Sequence, residues 1–234
     1  MSGKIEIKDL FSRLAARYDI GNSIISFGAH KHYKRKALTE LNLKPGDYLL
    51  DLCTGTGDLV FMALDLFPGI NVTGVDFAAP MIELAQKRLG QRPLLKTRVN
   101  FLVADATELP FKESSFDAAT VAFGIRNIPD KQRFFNEVFR VLKPGGKLIV
   151  LEFSNPSDAR LKYVYSLYLK YLVPLLGFMA TGDLKAYSYL TKSIFSYPPV
   201  EEIRRLAENA GFDFRARFYL FGFLSLYKCT RSDE

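Results

Sequence analysis

Apolar and polar positions fall into blocks along the first two thirds of the chain, and the period changes from block to block. The apolar runs DYLLDLC, INVTGVD, VNFLVAD, FDAATVAF and GGKLIVLEF are short; between them lie longer stretches in which apolar residues recur every three to four positions. The first kind reads as buried strand and the second as amphipathic helix. DLVFMALDLF follows the first run, PMIELAQKRL the second and KQRFFNEVFRVL the fourth, whereas the third leads into a short turn. Strands joined by crossover helices predict a parallel sheet covered on both faces. Lys143-Pro144-Gly145-Gly146 should stop the helix after the fourth run, with the fifth strand beginning directly afterwards.

Near the C-terminus EEIRRLAENAGF is an amphipathic helix capped by Gly211, and FDFRARFYLF and FLSLYKCTR read as neighbouring hairpin strands around Gly222. Parallel strands finished by an antiparallel hairpin strand fit a methyltransferase sheet better than a dehydrogenase sheet. The expected fold is one α/β domain spanning residues 1–234, a Rossmann-like class I methyltransferase with a seven-stranded sheet. Two segments lie outside the alternation. Residues 8–44 form a basic helical lead-in, expected to fold over the site as a lid, and residues 157–199 form a helical insertion before the last helix.

The insertion contains LKYVYSLYLKYLVPLLGFMA, long and apolar enough to raise the question of a membrane span. Lys170, Pro174 and several Tyr and Ser residues argue against one. A lone span would also leave the C-terminal strand pair across the bilayer from the sheet it completes. The segment is read as a helical lid whose aromatic and aliphatic side chains line a groove for a long apolar substrate.

Composition narrows the class. With 48% hydrophobic and 24% charged residues the chain is globular and not disordered. A net charge of +7 favours an anionic partner, a phospholipid surface or nucleic acid, although it also serves solubility. Cys53 and Cys229 offer neither zinc spacing nor a disulfide framework, and MSGKIEIKDLF lacks the apolar core of a signal peptide. Both point to a reducing cytoplasm. No metal site is expected.

The candidate chemistry starts at LLDLCTGTGDLVF. Asp51 closes the first strand, and Gly55-Thr56-Gly57 lets the backbone pass close to a ligand where a Cβ would collide. A dinucleotide fingerprint requires a third glycine three positions on; Val60 stands there. Asp58, directly after the turn, repels a pyrophosphate but tolerates a ligand carrying an ammonium and a sulfonium. Asp76 ends the second strand, placed to accept both hydroxyls of a ribose, and Asp105-Ala106 follows the third, placed to receive an adenine amine. An acid at one strand end often only caps a helix. Three after consecutive parallel strands beside a glycine turn favour a cofactor, and S-adenosylmethionine fits best.

FSRLAARYDIGNSIISFGAHKHYKR, LDLCTGTGDL, DATELPF, FDAATVAFGIRNIPD and FRVLKPGGKLIVLEFS together resemble the ubiquinone/menaquinone biosynthesis C-methyltransferases, from Phe11 to Gly211. The resemblance implies methylation, at carbon, of a polyprenylated quinol: demethylmenaquinol, 2-polyprenyl-6-methoxy-benzoquinol, or both. By motif position it places the cofactor at Thr56, Asp76, Asp105 and Ala106. The chain departs from the family at CTGTGD where many members have AGGTGD, at Ala122 where many have Ser, and at Tyr33 in place of a Trp.

A quinol carbon becomes more nucleophilic when a neighbouring hydroxyl loses its proton, so the site needs a base or a group that stabilises a phenolate. Arg126, in FGIRNIPD after the fourth strand, is the first candidate to stabilise that charge or to order a water; a salt bridge holding the loop is its alternative. Asn127 orients the loop or the substrate, or caps a helix. In the lead-in, Tyr18 is placed to touch the substrate or the methionine end of the cofactor and Asp19 to act as base. His30 and His32 read as surface residues of a basic helix. Because a polyprenyl tail resides in a membrane, Lys31, Lys34, Arg35 and Lys36 with the aromatic insertion are expected to meet its surface peripherally. A nucleic-acid methyltransferase is disfavoured, since the fourth strand ends in AFGIRN and Pro198-Pro199, the only such pair, lies elsewhere. Methylation of a small aromatic molecule at oxygen or nitrogen is the other reading, and a homodimer is compatible with either.

Overall fold

A computed structural model describes residues 28–156, 158–182 and 184–232. Seven strands and eight α-helices occur among them. After α1 (Ala29–Thr39) come β1 (Tyr48–Leu52), α2 (Asp58–Leu66), β2 (Asn71–Asp76), α3 (Ala79–Gly90), β3 (Val99–Val103) and β4 (Phe116–Ala122). A 3₁₀ turn, Ile125–Asn127, leads to α4 (Lys131–Val141) and β5 (Leu142–Phe153). The insertion holds α5 (Ala159–Leu167), α6 (Val173–Thr181) and α7 (Leu184–Phe195); α8 (Val200–Asn209), β6 (Phe212–Tyr219) and β7 (Leu224–Arg231) complete the fold.

The strands form one sheet in the order β3-β2-β1-β4-β5-β7-β6. β1 to β5 are mutually parallel; β6 and β7 form the expected antiparallel hairpin, and β7 also pairs antiparallel with β5. One core cluster packs Leu50, Leu52 and Val121 against α4 and α8; the other packs Leu49, Val72 and Ile149 against α1 and α2. Alternation along β1 thus sends neighbouring leucines to opposite faces. α4 shows how local sequence sets an element: Asp130 caps it by accepting from the Arg133 N–H at 2.9 Å, and Phe134, Phe135, Val138 and Val141 are buried at helical spacing.

One boundary differs from expectation. β5 already starts at Leu142, which pairs with Phe116; pairing resumes at Ala118 with Lys147, so Lys143-Pro144-Gly145-Gly146 forms an irregularity inside the strand and not a stop before it. Gly146 is needed there, because a Cβ would lie 2.7 Å from the Lys143 carbonyl oxygen. In the insertion, α5 and α6 are joined by a π turn at Tyr168–Leu172, which leads into the first turn of α6 where Pro174 sits. A proline lacks the N–H that a continuous α-helix uses, and a π turn accommodates that defect. Gly211, with φ of 100°, caps α8 as expected. No helix among the described residues is long and apolar enough to cross a membrane.

Candidate active site at the carboxyl edge of the sheet

The strand order reverses between β1 and β4, and a crevice outside the carboxyl ends of such strands is where ligands bind in open α/β sheets. A cavity lies there, walled by the turn after β1, by Asp76, Phe77 and Met81, by Asp105 and Ala106, and by Phe123, Gly124, Asn127 and Ile128. The two strands flanking the reversal are each followed by a side-chain-bearing residue with left-handed backbone, Cys53 at φ 52° and Phe123 at φ 58°. Bulky residues adopt that conformation at a cost, and such strain concentrates at functional sites. Gly124 allows the two turns to meet: a Cβ on it would lie 2.4 Å from that of Cys53.

Asp76 stands in the cavity wall with its carboxylate held from behind. Oδ2 accepts from the Gly55 N–H at 2.8 Å and Oδ1 from the Ala78 N–H at 3.0 Å. Burial pushes its carboxyl up, opposed by these backbone donors. Gly55 and Thr56 share the wall, and Arg88 holds Thr56 by donating to both its carbonyl and its hydroxyl, at 2.9 and 3.0 Å. Asp105 Oδ1 accepts from the Thr107 N–H and hydroxyl, which fixes the acid beside Ala106.

Asp51 and Gly57 stand behind the turn. The Asp51 carboxylate accepts from the hydroxyls of Thr54 at 2.6 Å and Thr120 at 2.7 Å, tying β1 to the glycine turn and to β4. Burial pushes its carboxyl up to about 6, against the pull of both hydroxyls and Lys34. Gly57 begins α2 at φ 81°, close to the rings of Phe101 and Phe61.

Lys34 was expected at a membrane surface and is instead buried, lining the cavity and ion-paired with Asp58 at 3.0 Å. Arg88 reaches the same carboxylate at 3.4 Å. Burial raises the Asp58 carboxyl, but the Lys34 ammonium and the Arg88 guanidinium outweigh it and hold it below the ordinary carboxylate range. Asp58 is therefore a neutralised anion, and a buried cation that the sequence reading did not assign to the site belongs to the cavity wall. Its one signal was position: Lys34 falls on the same face of α1 as the buried His30, Ala37 and Leu38. The burial of His30 also corrects its expected surface position; His32 is exposed and lies edge-on to Tyr33.

Arg126 and Asn127 divide the work of the loop after β4. The Arg126 side chain is 3% exposed and pairs with the fully buried Glu152 at 2.7 Å; it also donates to the Phe123 carbonyl and, at 3.3 Å, to Ser193 of α7. Glu152 accepts in addition from the Arg126 and Phe153 N–H groups. Asn127 lines the cavity, and Tyr189 of α7 donates to its Oδ1 at 3.0 Å. Tyr18 and Asp19 lie outside the described residues.

The ubiE/COQ5 methyltransferase family model matches residues 1–225. A demethylmenaquinone methyltransferase of Thermus thermophilus is 40% identical over 218 residues, covering 93% of this chain and 98% of its own. A ubiquinone/menaquinone biosynthesis C-methyltransferase UbiE of Geobacter sulfurreducens is 36% identical over 223 residues, 94% and 86% of the two chains. Among solved structures, phosphoethanolamine N-methyltransferase 2 of Haemonchus contortus in complex with S-adenosyl-L-methionine superposes with a TM-score of 0.66 at 18% identity, over 86% of this chain and 52% of its own. A putative S-adenosyl-L-methionine-dependent methyltransferase of Methanococcus maripaludis gives 0.68 at 16% identity, over 95% and 94%.

Proposed function

The chain belongs to the ubiE/COQ5 methyltransferase family, an S-adenosylmethionine-dependent C-methyltransferase of quinone biosynthesis, and on that premise we propose that it methylates the ring carbon of a polyprenylated demethylmenaquinol at a membrane surface. One observation carries the reading of the site. A carboxylate held by two backbone N–H groups, Asp76, shares a cavity with Asn127, on whose loop the apolar insertion closes.

The donor set fits the cofactor. Asp76 keeps lone pairs for the ribose hydroxyls, and the Asp105-Ala106 corner suits the adenine edge. Thr56 and the Lys34–Asp58 pair suit the methionine end, where a carboxylate and an ammonium both need partners. S-adenosylmethionine supplies an electrophilic methyl group on a sulfonium. The residues lining the cavity would hold the quinol carbon beside that methyl group; such positioning is worth roughly 7–11 kcal/mol in well-oriented cases. Asn127 offers a hydrogen bond to a quinol oxygen, and Arg126 keeps that loop in place through Glu152. Asp19 is our candidate for the base that would take the proton of the neighbouring quinol hydroxyl, and Tyr18 our candidate for a contact with the substrate.

Membrane contact rests on the outer face of the insertion. Residues 159–182 contain Arg160, Lys162 and Lys170 but no acidic residue. Tyr163, Val164, Leu167, Tyr171, Leu175, Phe178 and Met179 are exposed on it. An apolar surface carrying only positive charge suits the cytoplasmic face of an anionic bilayer. Lys31, Arg35 and Lys36 on α1 are exposed as well.

The test offers labelled S-adenosylmethionine with a short-chain demethylmenaquinol, a panel of phenols and an RNA pool. Label on the quinol ring carbon is expected; label only on oxygen or nitrogen of the phenols, or on RNA, sinks the acceptor. Binding to anionic vesicles that weakens with salt is expected alongside. A stable homodimer that covers the insertion and ignores lipid would replace the membrane by a second copy.

A further inference from the structure

Helix α7 reaches from the insertion into the loop that carries the site. Tyr189 donates to Asn127 Oδ1 at 3.0 Å, and Ser193, one turn further, accepts from Arg126 Nε. The helix itself is pinned: the Thr191 hydroxyl donates to the Leu169 carbonyl at 2.8 Å, and Asn155 donates to the Ile194 carbonyl at 3.2 Å. Gly177 of α6 lies so close to the ring of Tyr187 that a Cβ would sit 2.3 Å from it. Backbone bonds fix the other partner, with the Asn127 N–H donating to the Gly124 carbonyl at 3.0 Å.

An asparagine amide has two faces of opposite polarity, a carbonyl that accepts and an NH2 that donates. Whichever face is engaged outside the cavity decides which is turned into it. Tyr189 engages the carbonyl. Burial pushes its phenol above the ordinary value, against the pull of Arg126, so the hydroxyl stays a proton donor across the physiological range.

We infer that Tyr189 is a positioning residue for methyl transfer: it occupies the Asn127 carbonyl and thereby presents the amide NH2 to the cavity, so that the substrate oxygen is received as a hydrogen-bond acceptor. The inference rests on the quinol reading given above. A quinol oxygen gains negative character as its ring carbon becomes nucleophilic, and a fixed donor favours that form over the neutral hydroxyl. The insertion is then part of the catalytic machinery as well as a cover. It carries the hydroxyl that sets the polarity of the site.

Tyr189→Phe, Asn127→Ala and the double variant test this, with short-chain demethylmenaquinol and S-adenosylmethionine. For Tyr189→Phe we expect kcat to fall about tenfold, the worth of one hydrogen bond to a charged group. The acid limb of the kcat profile should move up by about one pH unit, and cofactor Kd should stay within twofold. In the Asn127→Ala background the same change should cost little more, because the two residues act as one unit. A naphthol whose absorbance reports its ionisation gives a readout without turnover: its bound pKa should be higher in Tyr189→Phe than in the wild type. Parallel losses of kcat, cofactor affinity and melting temperature with no shift of the acid limb overturn the inference, as do additive effects in the double variant. Wild-type protein that leaves the quinol unmethylated overturns the acceptor reading and this inference with it; normal wild-type turnover with an unshifted Tyr189→Phe profile overturns the inference alone.

Discussion

Lys34 Nζ lies 3.0 Å from Asp58 Oδ2, joining α1 to the first turn of α2 across 24 residues of sequence. The contact places a buried ammonium in the wall of the cavity at the carboxyl edge of the sheet and cancels the carboxylate that follows the glycine turn. Lys34→Met should weaken S-adenosylmethionine binding about tenfold in calorimetry and lower stability by about 2 kcal/mol, the range of a charged hydrogen bond. An unchanged dissociation constant would assign Lys34 to the scaffold alone.

Arg126 and Glu152 are a second such pair, more deeply buried. Removing one member of a buried pair leaves the other charged and unpaired, at about 3–5 kcal/mol. Arg126→Ala should therefore unfold at markedly lower denaturant as well as lose turnover. Arg126→Met combined with Glu152→Gln should recover much of the stability without recovering activity. Full stability in the single variant would exclude the pair as the anchor of the loop.

Asp51 makes a prediction about pH. Its folded pKa of about 6 lies above the ordinary 3.8, so the native state holds this proton more tightly than the unfolded chain does. The resulting stability is complete below the unfolded value and is lost as pH rises through the folded one. Between about pH 4 and 6 the wild type should lose about 2 kcal/mol relative to Asp51→Asn, which has no proton to release. Denaturant titrations of both proteins across that window measure the difference, and parallel curves would remove the effect.

Gly124 has no room for a side chain, since a Cβ would meet Cys53 at 2.4 Å. Gly124→Ala must push the turns after β1 and β4 apart, and overpacking of this kind costs roughly 1–3 kcal/mol. Cofactor binding should fall with it, because both turns wall the cavity. A variant that binds the cofactor normally would show that the two turns move independently.

Much of this was legible in the sequence because it is local. Apolar periods of two and of three to four residues set the strands and helices. Carboxylates at three successive strand ends landed on one edge because parallel strands align their carboxyl ends. Where a boundary slipped, a longer-range effect decided. Leu142 joined β5 because Phe116 was there to pair with it.

The order of elements, the sheet with its hairpin finish and the acids Asp51, Asp76 and Asp105 were thus fixed by the chain as written. Tertiary structure alone decided that Lys34 faces inward, that Arg126 spends its charge on Glu152, and that Tyr189 meets Asn127 from 62 residues away. The physical reason is that periodicity and turn chemistry act over a few residues. A buried polar group must instead find its partner wherever folding delivers one, and no spacing in the sequence records that meeting.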